Sequence, residues 1–184
     1  FDDLRNVLER SSARETTARV AAGGVAKKLL ADFGIEIESA VYRIGAVAYP
    51  KEQAALHAAT SDESEVRCPD PDVSERMKAE IDAARYARDA LGGEFVVVAR
   101  GCPAGLGSYV DWRDKLDARL AAAMMSINAI KGVEFGMGFG LAARRSSEVQ
   151  DEILPEDGRL ARDTNRLGGL EGGMTNGEPV VVSA

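Results

Sequence analysis

Helical and strand-like spacings alternate along the chain. Ser12-Ala13-Arg14-Glu15 has the Ser-x-x-Glu form of a capping box. The Ala, Arg, Val and Lys residues after it predict a helix through Lys28 toward Asp32, with Gly34 ending it. Apolar and acidic residues then alternate from Ile35 through Val41, Ile44 and Val47, as in a strand with one wet face, until Pro50. Residues 50–73 are polar, acidic and broken by Pro69 and Pro71, and are expected to form a surface excursion. Ser74 is placed as the cap of a helix to about Ala90, with Met77, Ile81 and Ala84 on one face and Gly92-Gly93 as its stop. Phe95-Val96-Val97-Val98-Ala99 reads as a short apolar strand. Gly101, Pro103, Gly105 and Gly107 follow at once and require a tight, backbone-rich loop. A helix over about 114–131 carries Leu116, Leu120, Met124 and Ile127 as a core stripe. Between Val133 and Leu141 apolar residues alternate mostly with glycine. That texture predicts a strand with one nearly bare face, where a ligand, a flat ring or another backbone comes close, or where a helix packs. Residues 144–166 read as a charged loop, and Pro179-Val180-Val181-Val182 begins a last strand. The fold class is α/β in the broad sense, α+β in detail.

Composition narrows the class. The chain has 184 residues, 45% hydrophobic and 29% charged, which predicts one globular domain, residues 1–184, rather than a disordered tail. A compact monomer of this mass exposes about 8,600 Å² and buries about 70% of its unfolded surface. With no apolar run of 18 or more residues, no membrane span is expected. The net charge of −7 and pI near 4.9 disfavour broad binding to nucleic acid or an anionic membrane, so neither is expected as a partner. Cys68 and Cys102 lie far apart, outside any zinc-ligand or disulfide-framework spacing, which fits a reducing, cytoplasmic setting and no metal. Phe1-Asp2-Asp3-Leu4-Arg5 has neither the basic nor the apolar region of a signal peptide. The single histidine, His57, is expected to be exposed, which argues against a histidine triad or a multi-histidine metal site.

Two stretches carry candidate chemistry. Arg10-Ser11-Ser12-Ala13-Arg14 sits at the head of the first predicted helix, where free N–H groups and the positive helix end favour an anion. Arg10 and Arg14 add charge-assisted contacts to phosphate or carboxylate; a capped helix with two solvated arginines is the bland alternative. Gly168, Gly169, Gly172 and Gly173 form the second, a loop whose amides can approach a phosphate or ring closely. It matches neither the dinucleotide fingerprint nor the P-loop.

Several runs together point to one family. Leu8-Glu9-Arg10-Ser11-Ser12-Ala13-Arg14-Glu15-Thr16 with Arg19-Val20-Ala21-Ala22-Gly23 resembles the internal signature of the chorismate synthases. Gly105-Leu106-Gly107-Ser108, Lys115-Leu116-Asp117, Met125 through Gly136, and Thr164-Asn165-Arg166 with Gly168 through Gly177 agree with the same family in the same order. The likeness spans essentially the whole chain, and the chain resembles the middle of proteins roughly twice as long.

The resemblance implies an enzyme that converts 5-enolpyruvylshikimate 3-phosphate to chorismate and phosphate by 1,4-elimination, with reduced FMN required and no net redox change. It also implies a sandwich of antiparallel sheets around helices, a homotetramer, and a small anionic substrate as the partner molecule. Residue by residue, Arg10, Ser11 and Ser12 match a flavin-binding stretch, and Ser12 and Arg14 also face substrate. Asn128 and Ala129 match a second flavin contact and Gly172 a third. The family's histidines, its C-terminal Lys-Pro flavin segment and its acidic catalytic residue match nothing in these 184 residues, so no catalytic residue is assigned. Met137 stands where the family usually has Asp, and Gly24 is unusual in the helix signature. No NAD(P)H-binding pattern is visible. The alternative to an enzyme is a structural core that binds flavin or an anion without turnover.

Overall fold

The computed structural model describes residues 2–12, 14–156 and 159–184. Its first element is one the periodicity had not marked. Helix α1 (Leu4–Ser11) is capped by Asp3, whose carboxylate accepts from the Arg5 N–H. Helix α2 (Glu15–Ala31) follows, and Gly34, at φ +75°, turns the chain out of it. Strand β1 (Glu36–Ile44) leads through Gly45-Ala46 to β2 (Val47–Ala48). Next come helix α3 (Lys51–Leu56), a 3-10 turn over 58–63, and helix α4 (Pro71–Ala87). Strand β3 (Gly93–Arg100), helix α5 (Leu116–Met125), strand β4 (Glu134–Phe135) and a 3-10 turn over 138–143 continue the chain. The short helix α6 (Ser146–Val149) precedes the hairpin β5 (Ile153–Glu156) and β6 (Arg159–Arg162). The hairpin β7 (Leu170–Glu171) and β8 (Met174–Thr175) and strand β9 (Val180–Ser183) close it.

The main sheet is antiparallel throughout, in the order β2-β1-β3-β9-β4. Its strands obey the period-2 rule, so each face has its own residues. Ala40, Tyr42, Val96 and Val98 point to one face, covered by Ala54 and Ala58. The other face carries Ile35, Ile37, Ala99, Phe135 and Val180 and packs against Leu30 of α2 and Leu116 and Leu120 of α5. Helices packed on antiparallel strands are the α+β class expected, with the helices here on both faces of one sheet. Along α5 the foreseen Leu116, Leu120 and Met124 are half-buried; the helix expected to reach 131 stops at Met125, so Ile127, also half-buried, and the Asn128-Ala129 pair lie in the turn beyond it.

Four more expectations need correction. Residues 50–73 are no surface excursion: Ala54, Ala58, Ser61 and Cys68 are all at most 2% exposed and roof one sheet face. Their acidic neighbours mark only the outward side of that roof. Helix α4 is capped by Asp70, which accepts from the Val73 N–H at 2.8 Å, with Pro71 in its first turn; Ser74 lies inside the helix, buried. The glycine-rich run is not one strand. After Phe135 the backbone turns at Gly136 and Gly138, both at φ above +50°, and goes into the 3-10 turn. A Cβ at Gly136 would run into the Arg166 carbonyl oxygen, so another backbone, not a ligand, occupies the bare face. Residues 144–166, expected as loop, contain α6 and the β5–β6 hairpin.

The chain exposes 12467 Å², about 4,000 Å² more than a compact monomer of its mass. On α1 and α2 no residue is buried, and Leu4, Leu8, Val20, Val25 and Leu29 are all more than half exposed.

Candidate functional site

The Arg10–Arg14 stretch is a junction between two helices rather than a helix head. Because α1 already runs to Ser11, Ser12 takes extended angles (φ −83°, ψ 153°) and caps the end of α1, its N–H donating to the Leu8 carbonyl. The capping box does not form. The Ser12 hydroxyl accepts from the Arg14 N–H at 3.3 Å, and Glu15 pairs with Arg19 at 2.9 Å instead of reaching back. The N–H groups of Glu15 and Thr17 donate to the carbonyls of Ser12 and Arg14. The expected cradle of free amides is therefore largely used locally, and an anion here relies on side chains. Among the described residues the side chain of Arg10, which lies in the last turn of α1, makes no hydrogen bond or ion pair. Arg14 holds Glu9 at 3.0 Å while three-quarters exposed, a pairing that an incoming anion can replace at little cost. The Ser11 hydroxyl donates to the Val7 carbonyl at 2.8 Å, so it serves its own helix.

Asn128 meets this junction from across the fold. Its Nδ2 donates to the Ser12 carbonyl at 3.0 Å, linking residues 116 apart in sequence. Beside it, Arg19 Nη1 donates to Ser126 Oγ at 2.6 Å. The Ile130 N–H donates back to the Ile127 carbonyl, and Ala129 between them has φ +72°. Such a turn normally places glycine or asparagine at that position. An alanine there costs about 1 kcal/mol and persists because its surroundings hold it, a pattern concentrated at ligand sites. On its other side Ala129 rims a cleft of about 480 Å³ lined by Tyr42, Glu94, Lys131 and Ser183. The Tyr42 hydroxyl is pushed well above its ordinary pKa, mainly by burial and then by its hydrogen bond with Glu94.

Gly172 lies elsewhere. It and Gly173 form the turn of the β7–β8 hairpin, with φ +58° and +88°, the two positive values a tight hairpin turn requires. The Gly173 carbonyl accepts from the Leu116 N–H at 2.8 Å, docking the hairpin at the start of α5. Asn128 lies beyond the other end of that ten-residue helix, about 15 Å of helical rise away. Gly172 and Asn128 thus share a ligand only if it is elongated along α5. The four loop glycines also differ in kind. A Cβ at Gly168 or Gly169 would strike backbone atoms, and one at Gly173 would meet Lys115 and Ser108, whereas Gly172 faces open space. Only Gly172 keeps the ligand reading; the others are needed for packing.

Sequence reasoning missed the residue that fixes the neighbouring loop. Asp151 is 4% exposed. Its carboxylate accepts from Thr164 Oγ1 at 2.6 Å and from the N–H groups of Arg166 and Leu167 at 2.7 and 2.9 Å. Met137 lines a separate cleft of about 550 Å³ with Lys51, Arg100, Arg144 and Arg166. His57 is exposed at the end of α3, as expected.

Fold and junction together define an α+β protein whose arginine, serine and asparagine segments converge at one end of a short helix, with an open glycine hairpin at the other. The family model for chorismate synthase matches residues 1–184, and the chain belongs to that family. It is 75% identical to the chorismate synthase of Rubrobacter xylanophilus over all of its own length and 47% of that relative's. It is 54% identical to the chorismate synthase of Bacillus subtilis, over 98% of this chain and 47% of that one. A solved structure described as a crystal structure of chorismate synthase superposes with a TM-score of 0.92 at 48% identity, covering 98% of this chain and 57% of that one. The chain spans about half the length of the curated relatives it matches.

Proposed function

We propose that this chain carries the flavin-holding middle of a chorismate synthase, an enzyme forming chorismate from 5-enolpyruvylshikimate 3-phosphate by 1,4-loss of phosphate. The observation that supports it most is the Asn128 to Ser12 hydrogen bond at 3.0 Å. It brings together two segments, far apart in sequence, that the family resemblance had separately marked for flavin.

The residues present fit reduced FMN. Arg10, whose side chain has no ion-pair partner among the described residues, is a cation suited to a phosphate or a reduced ring's charge. Ser12 offers a hydroxyl donor, and the left-handed turn at Ala129 brings backbone close with only a methyl group in the way. Gly172 leaves room for a planar or extended group at the far end of α5. Reduced flavin, when bound, supplies the electron density that eases departure of the phosphate without net redox change. Arg14, freed from Glu9, holds the substrate's anionic groups beside Ser12, which is a matter of positioning and electrostatics. None of the assigned residues is a general acid or base, and proton removal is not assigned to them. The exposed apolar side chains of α1 and α2 are the surface that a full-length enzyme, or its neighbours in a homotetramer, covers. A cytoplasmic setting agrees with Cys68 and Cys102, both free thiols. No helix among the described residues is long and apolar enough to cross a membrane.

The test is an anaerobic titration of the chain with reduced FMN, followed by flavin absorbance, with Arg10→Ala and Asn128→Ala alongside. Wild-type binding that each variant weakens by about tenfold is expected, the loss of one hydrogen bond to a charged or polar ligand group. Equal binding by all three proteins would place the flavin elsewhere.

A further inference from the structure

We infer that Arg19 is a positioning residue of the flavin junction, acting through Ser126 on the turn that carries Asn128 and Ala129; this rests on the flavin reading above. The bonding runs in series. Glu15 accepts from Arg19 Nε with both carboxylate oxygens, at 2.9 and 3.0 Å, which fixes the plane of the guanidinium. Its Nη1 then donates to Ser126 Oγ at 2.6 Å, and that hydroxyl donates to the Ala123 carbonyl at 2.6 Å, inside the last turn of α5. Ser126 caps α5, so the tie reaches the point where the helix gives way to the strained turn.

Arg19 gives the head of α2 a side-chain tie to α5. No residue of α2 is buried, and its recorded contribution to the core is Leu30, at its far end. Eleven residues separate Leu30 from Arg19, about 16 Å along a helix, so packing there leaves the other end free to swing. The two cross-links, Arg19 to Ser126 and Asn128 to Ser12, lie side by side between the same pair of segments. Together they set the spacing between Ser12 and Ala129. Asn128 is one of the proposed ligand contacts, whereas Arg19 is spent on Glu15 and Ser126 and has no role except to hold the two sides in register. A planar fork oriented by a carboxylate does this better than a flexible ammonium.

The test compares Arg19→Ala, Arg19→Lys and Ser126→Ala with the wild-type chain in three readouts: affinity for reduced FMN, melting temperature, and amide exchange of residues 126–130 without flavin. Arg19→Ala and Ser126→Ala are expected to weaken FMN about tenfold and to speed exchange over 127–130, with the melting temperature within a few degrees, because the Glu15–Arg19 pair is exposed. Arg19→Lys, a point charge that cannot hold Glu15 and Ser126 in one plane, is expected to recover only part of the affinity and to fall between wild type and Arg19→Ala, an ordering that the melting temperatures should not follow. If the wild type binds and Arg19→Ala binds equally well with unchanged exchange, the positioning role is wrong and the flavin reading stands. If the wild type does not bind, the flavin reading fails. Exchange over 127–130 then decides alone: unchanged exchange in Arg19→Ala overturns the tie, and faster exchange keeps it.

Discussion

Replacing Asp151 by alanine removes the acceptor on which a whole turn depends. Its two carboxylate oxygens take three donors, the Thr164 hydroxyl and the backbone N–H groups of Arg166 and Leu167, and the side chain is buried. A buried donor left without a partner costs about 1–3 kcal/mol. Thr164 can rotate its hydroxyl away and Arg166 and Leu167 are only half-buried, so water relieves part of the sum. A net loss of about 3–4 kcal/mol is expected, a large part of a typical domain's stability. The Asn variant keeps one oxygen but points an NH2 group at a backbone N–H, and about half that loss is expected. The effect should spread. The Arg166 carbonyl accepts from the Met137 N–H at 2.8 Å and the Gly168 carbonyl from the Val181 N–H at 3.1 Å, so the turn is stitched to the sheet beside β4 and β9. Equilibrium urea unfolding of the purified chain, fitted with a common slope, measures the difference. A loss below about 1 kcal/mol for Asp151→Ala would falsify the idea that this carboxylate organises the turn.

Other outcomes follow from the same geometry. Gly101→Ala should destabilise severely, since a Cβ there meets the Gly34 carbonyl oxygen at φ +76°. Gly172→Ala faces open space at φ +58°, so it should cost only about 1 kcal/mol of folding stability while weakening reduced FMN. Thermal melts and flavin titrations of the two variants check this, and equal destabilisation of both would contradict it. Burial raises the thiol pKa of both Cys68 and Cys102, and burial first, then Glu94, raises that of Tyr42. The folded chain therefore holds these protons more tightly than the unfolded one. Below about pH 8 all three are neutral in both states and stability should not depend on them. As pH rises through about 8.5 and then 10 the unfolded chain ionises first and stability falls. Melting curves from pH 7 to 10 should show that decline, shallower in the Cys68→Ala, Cys102→Ala double variant; a flat or rising profile contradicts it.

Where pattern reading succeeded, the cause was local. Val96 and Val98 are buried because their period of two fits a sheet face, and Gly34 ends α2 because its left-handed angle suits glycine. Where it failed, the deciding partner was distant or the signal was diluted. Ser12 looks like a helix cap until α1, started by Asp3 with Leu4, Val7 and Leu8 at helical spacing, claims it as an end. Ala54 and Ala58 roof the sheet, but they stand among acids and a proline that speak of surface. Ile153–Glu156 and Arg159–Arg162 pair as a hairpin, but each is only four residues long and carries charge or proline, so neither shows a strand's alternation. The candidate site shows the same limit. Arg10 and the glycine loop were marked by residue chemistry, yet Gly168, Gly169, Gly172 and Gly173 are alike in sequence and separate only by what a Cβ would meet. Nothing near Asn128 in sequence announces its bond to Ser12; only the family resemblance marked it.

The most direct test is amide hydrogen exchange of the chain with and without reduced FMN under anaerobic conditions, read over residues 10–14 and 126–129. Both segments should gain protection together and over the same concentration range, because one ligand bridges them. Flavin binding that protects neither segment, or only one, would contradict the placement of the flavin at the Ser12–Asn128 junction.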